Sequence, residues 1–151
     1  MRMQQLRDVL ERIAECHLEM QALYRRLHNH CDSARTKLLL EYLQQHQQHI
    51  AETIESYIDD APRRMLDTWY ENLEMGGFKQ ACESIVPVAG MNEDDLIELH
   101  LKFDNRILGY LETLVEVAPT GEIESAMSDL LRVSKTQQQR LVHSVMRMED
   151  I

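Results

Sequence analysis

The sequence predicts an all-α protein, and two observations support this prediction. Only five glycines and three prolines occur among 151 residues, whereas residues that favour helices, chiefly Leu, Glu, Gln, Met and Arg, are abundant. Apolar side chains also recur every three or four positions over long stretches, which is the spacing of one helix face. A chain of this length buries roughly 68–70% of its unfolded surface. We therefore expect a single helical domain over residues 1–151.

Two long helices are predicted in the first half of the chain. The first runs from Leu6 to about Leu27 and ends in a short polar segment. Within that segment, Asp32 or Ser33 can cap the next helix with a side-chain oxygen. The second helix is expected over about residues 34–58. Because the connection is short, the two helices are expected to pack as antiparallel neighbours.

A long crossover, over about residues 59–92, follows the second helix. It is predicted to contain a short extra helix over about residues 63–73, opened by Pro62 and ended by a pair of glycines. Trp69 and Tyr70 in this helix either pack back on the rest of the chain or anchor a partner chain. An extended apolar run is expected to complete the crossover.

Two further long helices are predicted in the second half of the chain. The third begins after Asn92, which caps it together with Asp95 at the third helical position. It ends before the Pro-Thr-Gly turn at 119–121, and the fourth helix continues from there to the end. The predicted fold is therefore a four-helix bundle made of two helical hairpins joined by a long crossover.

A weak internal repeat relates the two predicted hairpins. In the first half His17 lies seven residues before Tyr24, and in the second half Phe103 lies seven residues before Tyr110. The partner helices carry the corresponding segments Leu43-Gln-Gln-His46-Gln-Gln-His49 and Ser134-Lys-Thr-Gln137-Gln-Gln-Arg140. This doubled plan resembles the ferritin-like superfamily, especially the small rubrerythrin-like proteins, over about residues 5–58 and 93–149.

The resemblance implies a ferritin-like bundle in which each half carries a glutamate about seven residues before a tyrosine, followed by Glu-x-x-His on the next helix. At the matching positions this chain has other residues, namely His17 and Phe103 for the glutamates, and His46-x-x-His49 and Gln137-x-x-Arg140 for the motifs. A di-iron centre relies on bridging carboxylates, so the metal site is degenerate and oxygen-activating chemistry is not expected. The leading interpretation is a non-catalytic binding or assembly protein, either a homodimer or bound to another protein.

The same histidines support a second interpretation, a mononuclear metal-binding protein or metalloenzyme. His17, His46 and His49 are expected to converge, because residues three apart lie on the same helix face. Neutral imidazole suits zinc, iron, copper or nickel, and Glu52, one turn beyond His49, can be a fourth ligand or fix an imidazole tautomer. His100 can approach from the third helix. A structural alternative remains open, in which these histidines are neutral and hydrogen-bonded to neighbouring Gln, Tyr or carboxylate groups.

Charge and cysteine content restrict the expected partners and location. The net charge of −10 and a pI near 5.1 argue against a nucleic-acid partner, because phosphate binding requires a concentrated basic surface. No uncharged apolar run approaches the roughly 20 residues that a membrane-spanning helix requires, and the first residues do not have the pattern of a signal peptide. Three cysteines without C-x-x-C spacing fit a reducing compartment. We therefore expect a cytoplasmic protein that does not bind membranes.

Overall fold

A computed structural model of the chain describes residues 3–71 and 73–149, with side chains described as far as residue 147. Within these residues the structure is mostly helical, and the only strands are two of three residues each. The elements in chain order are β1 (Met3–Gln5), α1 (Leu6–Asn29), α2 (Ala34–Asp60), α3 (Arg63–Leu66), β2 (Trp69–Glu71), α4 (Phe78–Glu83), α5 (Glu93–Glu116) and α6 (Gly121–Glu149). The all-α prediction is confirmed.

The chain divides into two compact units, Met1–Leu96 and Ile97–Ile151. The first unit contains every element from β1 to α4 together with the first turn of α5, and the second contains the rest of α5 and all of α6. Each unit is therefore built on one helical hairpin. That the whole chain forms a single domain stays a prediction.

In the first unit α1 and α2 form the predicted antiparallel hairpin. The backbone N–H of Thr36 donates to the Ser33 side-chain oxygen at 3.3 Å, so the serine caps α2 as expected. The buried stripe of α1 follows the spacing of one helix face and includes the full length of the helix. Its members are Leu6, Val9, Leu10, Ile13, Ala14, Cys16, His17, Met20, Leu23, Tyr24 and Leu27.

The prediction of a helix over residues 63–73 was wrong for the second half of that range. Helix α3 ends at Leu66, and the chain then forms β2, which pairs antiparallel with β1 in the register Gln5↔Trp69. Trp and Tyr favour strands, and β1 supplies the partner strand that the sequence pattern did not reveal. Because neighbouring strand residues point to opposite faces, Tyr70 is buried while Trp69 is 55% exposed. Tyr70 therefore packs within the chain, whereas a partner contact at Trp69 stays a prediction.

The crossover also contains a second short helix that the sequence analysis missed. Helix α4 begins after Gly77, whose backbone has a φ of +83°, a conformation that side-chain-bearing residues rarely adopt. Phe78 and Cys82 of α4 are buried where this helix packs against α1. The Nη2 of Arg26 donates to the carbonyl oxygens of Cys82 at 2.9 Å and Ile85 at 2.8 Å. These bonds fix the crossover to the end of α1.

Helix α5 begins with the predicted reciprocal cap. The backbone N–H of Asp95 donates to Asn92 Oδ1 at 2.9 Å, and that of Asn92 donates to Asp95 Oδ2 at 3.0 Å. In the second unit α5 and α6 form the other hairpin, with Lys135 Nζ 3.6 Å from Glu112 Oε1. None of the described helices is long and apolar enough to cross a membrane.

Candidate functional site

His17 lies on the apolar stripe of α1 and is hydrogen-bonded across the first hairpin. Its side chain is buried, and its Nδ1 donates to the Oε1 of Gln47 on α2 at 2.7 Å. Burial lowers the pKa of His17 to about 4; the Gln47 bond opposes this shift, and the nearby His46 adds to it. The imidazole is therefore neutral at pH 7, with the proton placed on Nδ1 by the Gln47 acceptor.

His46 and His49 follow on α2, one helical turn apart. His46 is half-buried and stacks on Tyr42, with ring centroids 6.2 Å apart. Burial lowers the pKa of His46, and the nearby His49 adds to the shift. His49 is exposed and lines a groove of about 330 Å³ between α1 and α2. His46 is thus within electrostatic influence of both His17 and His49, and the three side chains range from buried to exposed.

Glu52, the fourth predicted ligand, lies exposed on α2 and accepts a hydrogen bond from Gln48 Nε2 at 2.9 Å. Over residues 3–71 and 73–149, no group of three or more His, Cys, Asp or Glu side chains is arranged to hold a metal ion. The set of His17, His46, His49 and Glu52 as metal ligands stays a prediction.

The sequence alternative of a neutral histidine bonded to a neighbouring Gln is confirmed for His17, and the structure identifies Gln47 as that partner. Its side chain is fully buried, and its Nε2 has no hydrogen-bond partner among the described residues. An unpaired buried amide donor costs free energy, because it has lost its hydrogen bonds to water. Its place on the buried stripe, between Leu43 and Ile50, was the available signal.

The second hairpin contains a related polar pair that the sequence analysis missed. Asp104 on α5 is only 7% exposed, and its Oδ2 accepts a hydrogen bond from Gln138 Nε2 on α6 at 2.8 Å. Burial raises the pKa of Asp104 to about 6, while the Gln138 bond opposes the shift. The resemblance had matched the neighbouring Phe103 to a family glutamate, and Phe103 is instead a buried apolar residue.

The two polar pairs occupy equivalent places in their hairpins. Helices α1 and α5 are both 24 residues long; His17 is the twelfth residue counted from Leu6, and Asp104 is the twelfth counted from Glu93. In each case the partner is a glutamine on the following helix. Each hairpin therefore pairs an ionisable residue of its first helix with a glutamine of its second. The internal repeat and the resemblance built on it stay predictions.

Two larger clefts lie in the first unit. One of about 730 Å³ is formed by the outer face of α1 and the segment that leads into α4; its lining includes Asp8, Glu11, Glu15, Glu19 and Glu74. Arg12 within it pairs with Glu15 at 3.3 Å and with Glu19 at 3.0 Å. The other, of about 410 Å³, lies between the turn of the first hairpin and the extended segment of the crossover. Neither contains His17 or Gln47.

No protein-family model, curated protein sequence or solved structure matches this chain.

Proposed function

We propose that this chain is a ferritin-like helical bundle that has lost the carboxylates of a di-iron centre and acts as a non-catalytic assembly protein, a cytoplasmic homodimer. The observation that carries the proposal is the bond between His17 and Gln47. At the position where the family resemblance implies a carboxylate ligand, this chain has a neutral, buried imidazole whose Nδ1 is used to join two helices. Buried polar pairs of this kind can specify how helices pack.

The surface proposed for the dimer contact is the outward face of the β1–β2 ribbon. Trp69 on this face is 55% exposed and Met3 is 46% exposed, and both side chains point away from the buried Tyr70. A tryptophan exposed to this extent is typical of contact surfaces between proteins. A two-stranded ribbon also has unpaired strand edges, which a second copy of the same ribbon can cover.

The oligomeric state of the purified protein tests this proposal. We expect light scattering to give twice the 17.7 kDa mass of one chain, and Trp69→Ser to shift the mass towards the monomer. Leu38→Ser is the matched control, because Leu38 is 56% exposed but lies on α2 rather than on the ribbon. A monomeric wild-type protein, or a dimer that Trp69→Ser leaves intact, would contradict the proposed dimer contact.

The ferritin-like arrangement has its own test, because the family plan requires the second and third long helices to run in the same direction. Spin labels at the exposed positions Arg35 and Glu55, near the two ends of α2, are each paired with a label at Glu112 near the end of α5. The family plan predicts that the distance from Glu55 is shorter by about 15 Å or more, since each helical residue adds about 1.5 Å. The reverse order of distances would rule out this arrangement.

A second candidate function, mononuclear metal binding, is supported by the tautomer of His17. Metal-binding histidines commonly donate one ring N–H to an oxygen acceptor, which leaves the other nitrogen to bind the metal. His17 Nδ1 donates to Gln47 in this way, and His46 lies close enough to affect the pKa of His17. The test is elemental analysis of the untagged protein. About one tightly held metal per chain, lost in His46→Ala, would support this candidate, and unchanged metal content in that variant would contradict it.

A further inference from the structure

A second pair of potential metal ligands lies on α5, in the other hairpin. His100 and Asp104 are four residues apart, so their side chains project from the same helix face. His100 is 1% exposed and Asp104 is 7% exposed. The Nε2 of His100 lies 4.0 Å from the Oδ2 of Asp104. Two buried groups of the types that bind transition metals are therefore adjacent within one helical turn.

A glutamine from the neighbouring helix holds the carboxylate of this pair. Gln138 Nε2 on α6 donates to Asp104 Oδ2 at 2.8 Å and to Asn105 Oδ1 at 2.8 Å. The carboxylate is therefore fixed in orientation by a side chain that carries no charge. Carboxylates that bind metals are commonly held by such outer hydrogen bonds.

The negative charge of the buried Asp104 carboxylate also requires compensation. A buried carboxylate is stable when a cation or several hydrogen bonds replace its hydration. The Asp104 carboxylate accepts one hydrogen bond from a neutral amide, and its approach to His100 is too long for a hydrogen bond. A bound divalent cation would supply the missing positive charge.

We propose that His100 and Asp104 bind one divalent transition-metal ion, with Gln138 as the residue that positions Asp104. Imidazole nitrogen and carboxylate oxygen bind Zn²⁺ at about 2.0–2.2 Å, which places two ligands of a tetrahedral ion about 3.3 Å apart. The observed 4.0 Å separation is reduced to this value by small side-chain rotations. Water fills the remaining coordination positions. The imidazole favours Zn²⁺, Co²⁺, Ni²⁺ or Fe²⁺ over Ca²⁺ and Mg²⁺, which prefer oxygen ligands.

This site is independent of the proposed dimer contact and of the histidines in the first hairpin. A titration of the full-length, metal-free protein with Co²⁺, followed by the visible absorption of the ion, tests it directly. We expect saturation at one Co²⁺ per chain. His100→Gln and Asp104→Asn should each weaken binding at least tenfold, and Gln138→Leu should weaken it by a smaller factor because it removes only the positioning bond.

Matched variants identify the hairpin that binds the ion. His143→Gln is the control for exposed histidines, because His143 is exposed on α6 and belongs to neither proposed ligand set, and it should leave Co²⁺ affinity within about twofold. Asp104→Asn keeps the size of the side chain and an oxygen acceptor for Gln138, and circular dichroism checks that the helices remain folded.

The proposal is overturned if the wild-type protein does not saturate at one Co²⁺ per chain, or if both His100→Gln and Asp104→Asn bind as the wild type does. Binding that is lost in His46→Gln and retained in Asp104→Asn would place the metal in the first hairpin instead. The light-scattering experiment is separate, so failure of the metal site does not affect the result for the dimer.

Discussion

His17 and Gln47 join α1 to α2 through a hydrogen bond of 2.7 Å between two buried side chains. The bond satisfies the imidazole Nδ1, but it satisfies only the oxygen of the glutamine amide. This polar pair therefore lies on the buried stripe of a hairpin whose other buried members are mostly apolar. A buried polar pair with an unsatisfied hydrogen-bond donor adds little to stability. It contributes more to specifying how the two helices pack.

The first prediction concerns the coupling between these two residues. His17→Leu should lower the free energy of unfolding by about 1–3 kcal/mol, because both polar ends of the buried Gln47 amide then lack a partner. Adding Gln47→Leu should recover much of this loss, since an apolar pair leaves no buried polar group. Urea unfolding followed by circular dichroism at pH 7 measures both variants against the wild type.

A partly exposed glutamine provides the control for this cycle. Gln48 also makes a side-chain hydrogen bond, to Glu52 at 2.9 Å, but on the surface of α2. Gln48→Ala should change the free energy of unfolding by no more than about 0.5 kcal/mol. If the double variant were no more stable than His17→Leu alone, the two side chains would not be coupled as the structure indicates.

The second prediction concerns acid stability. Burial lowers the pKa of His17 from its usual 6.5 to about 4, so between these values the unfolded chain takes up a proton that the folded chain does not. The stability that neutral His17 contributes to the fold is fully present above pH 6.5 and is lost as the pH falls towards 4. The loss amounts to about 2–4 kcal/mol relative to His17→Leu. Unfolding free energies of both proteins, measured from pH 7 to pH 4, give the difference.

The imidazole titrations themselves check the assignment. Nuclear magnetic resonance should show that His17 remains neutral well below pH 6, and the signals assigned to it should be absent from His17→Leu. If His17 titrated near 6.5, its ring would have to be hydrated rather than buried.

The third prediction has the opposite sign and concerns the second hairpin. Burial raises the pKa of Asp104 from 3.8 to about 6, so the folded state favours the protonated carboxyl. This group therefore stabilises the fold at low pH, and that stabilisation is lost as the pH rises through about 6. Asp104→Asn should raise the free energy of unfolding by about 1–3 kcal/mol at pH 7 in the presence of a chelator. Urea unfolding of Asp104→Asn and the wild type should show the higher free energy of unfolding of the variant at pH 7 and not at pH 4.

Asp129→Asn is the matched control for this substitution. The side chain of Asp129 is 70% exposed and lies 3.6 Å from Arg132 on the same helix, so its loss should have little effect on stability. A destabilised Asp104→Asn protein would mean that the ionised carboxylate is itself stabilised in the fold, contrary to the raised pKa.

The long helices could be predicted from the sequence, and so could a neutral histidine bonded to a neighbouring Gln, but the particular partners in the two buried polar pairs could not. Apolar periodicity and the caps at Ser33 and Asn92 located α2 and α5, because these signals are local. The β1–β2 pair was missed because its partner strand is more than 60 residues away and each strand is only three residues long. The Gln47 and Gln138 contacts depend on the rotation of neighbouring helices, which side-chain spacing alone does not determine.

The last prediction concerns the three thiols, which the sequence could count but not distinguish. Cys16 is buried, and burial raises its pKa to about 12, so almost none of it is thiolate at neutral pH. Cys82 is also buried, whereas Cys31 is partly exposed in the turn between α1 and α2. A disulfide reagent at pH 8 should therefore modify one thiol rapidly in the folded protein and all three in urea.

Cys31→Ser identifies the fast thiol, because it should remove the rapid phase and leave the slow phases unchanged. Cys16 and Cys82 then react only when the hairpin or the α1–α4 contact opens, so their rates measure local opening of the first unit. His17→Leu should accelerate the reaction of Cys16, its neighbour on α1, if the His17–Gln47 bond stabilises the closed hairpin. Equal rates for Cys16 in the wild type and His17→Leu would show that the bond does not control this opening.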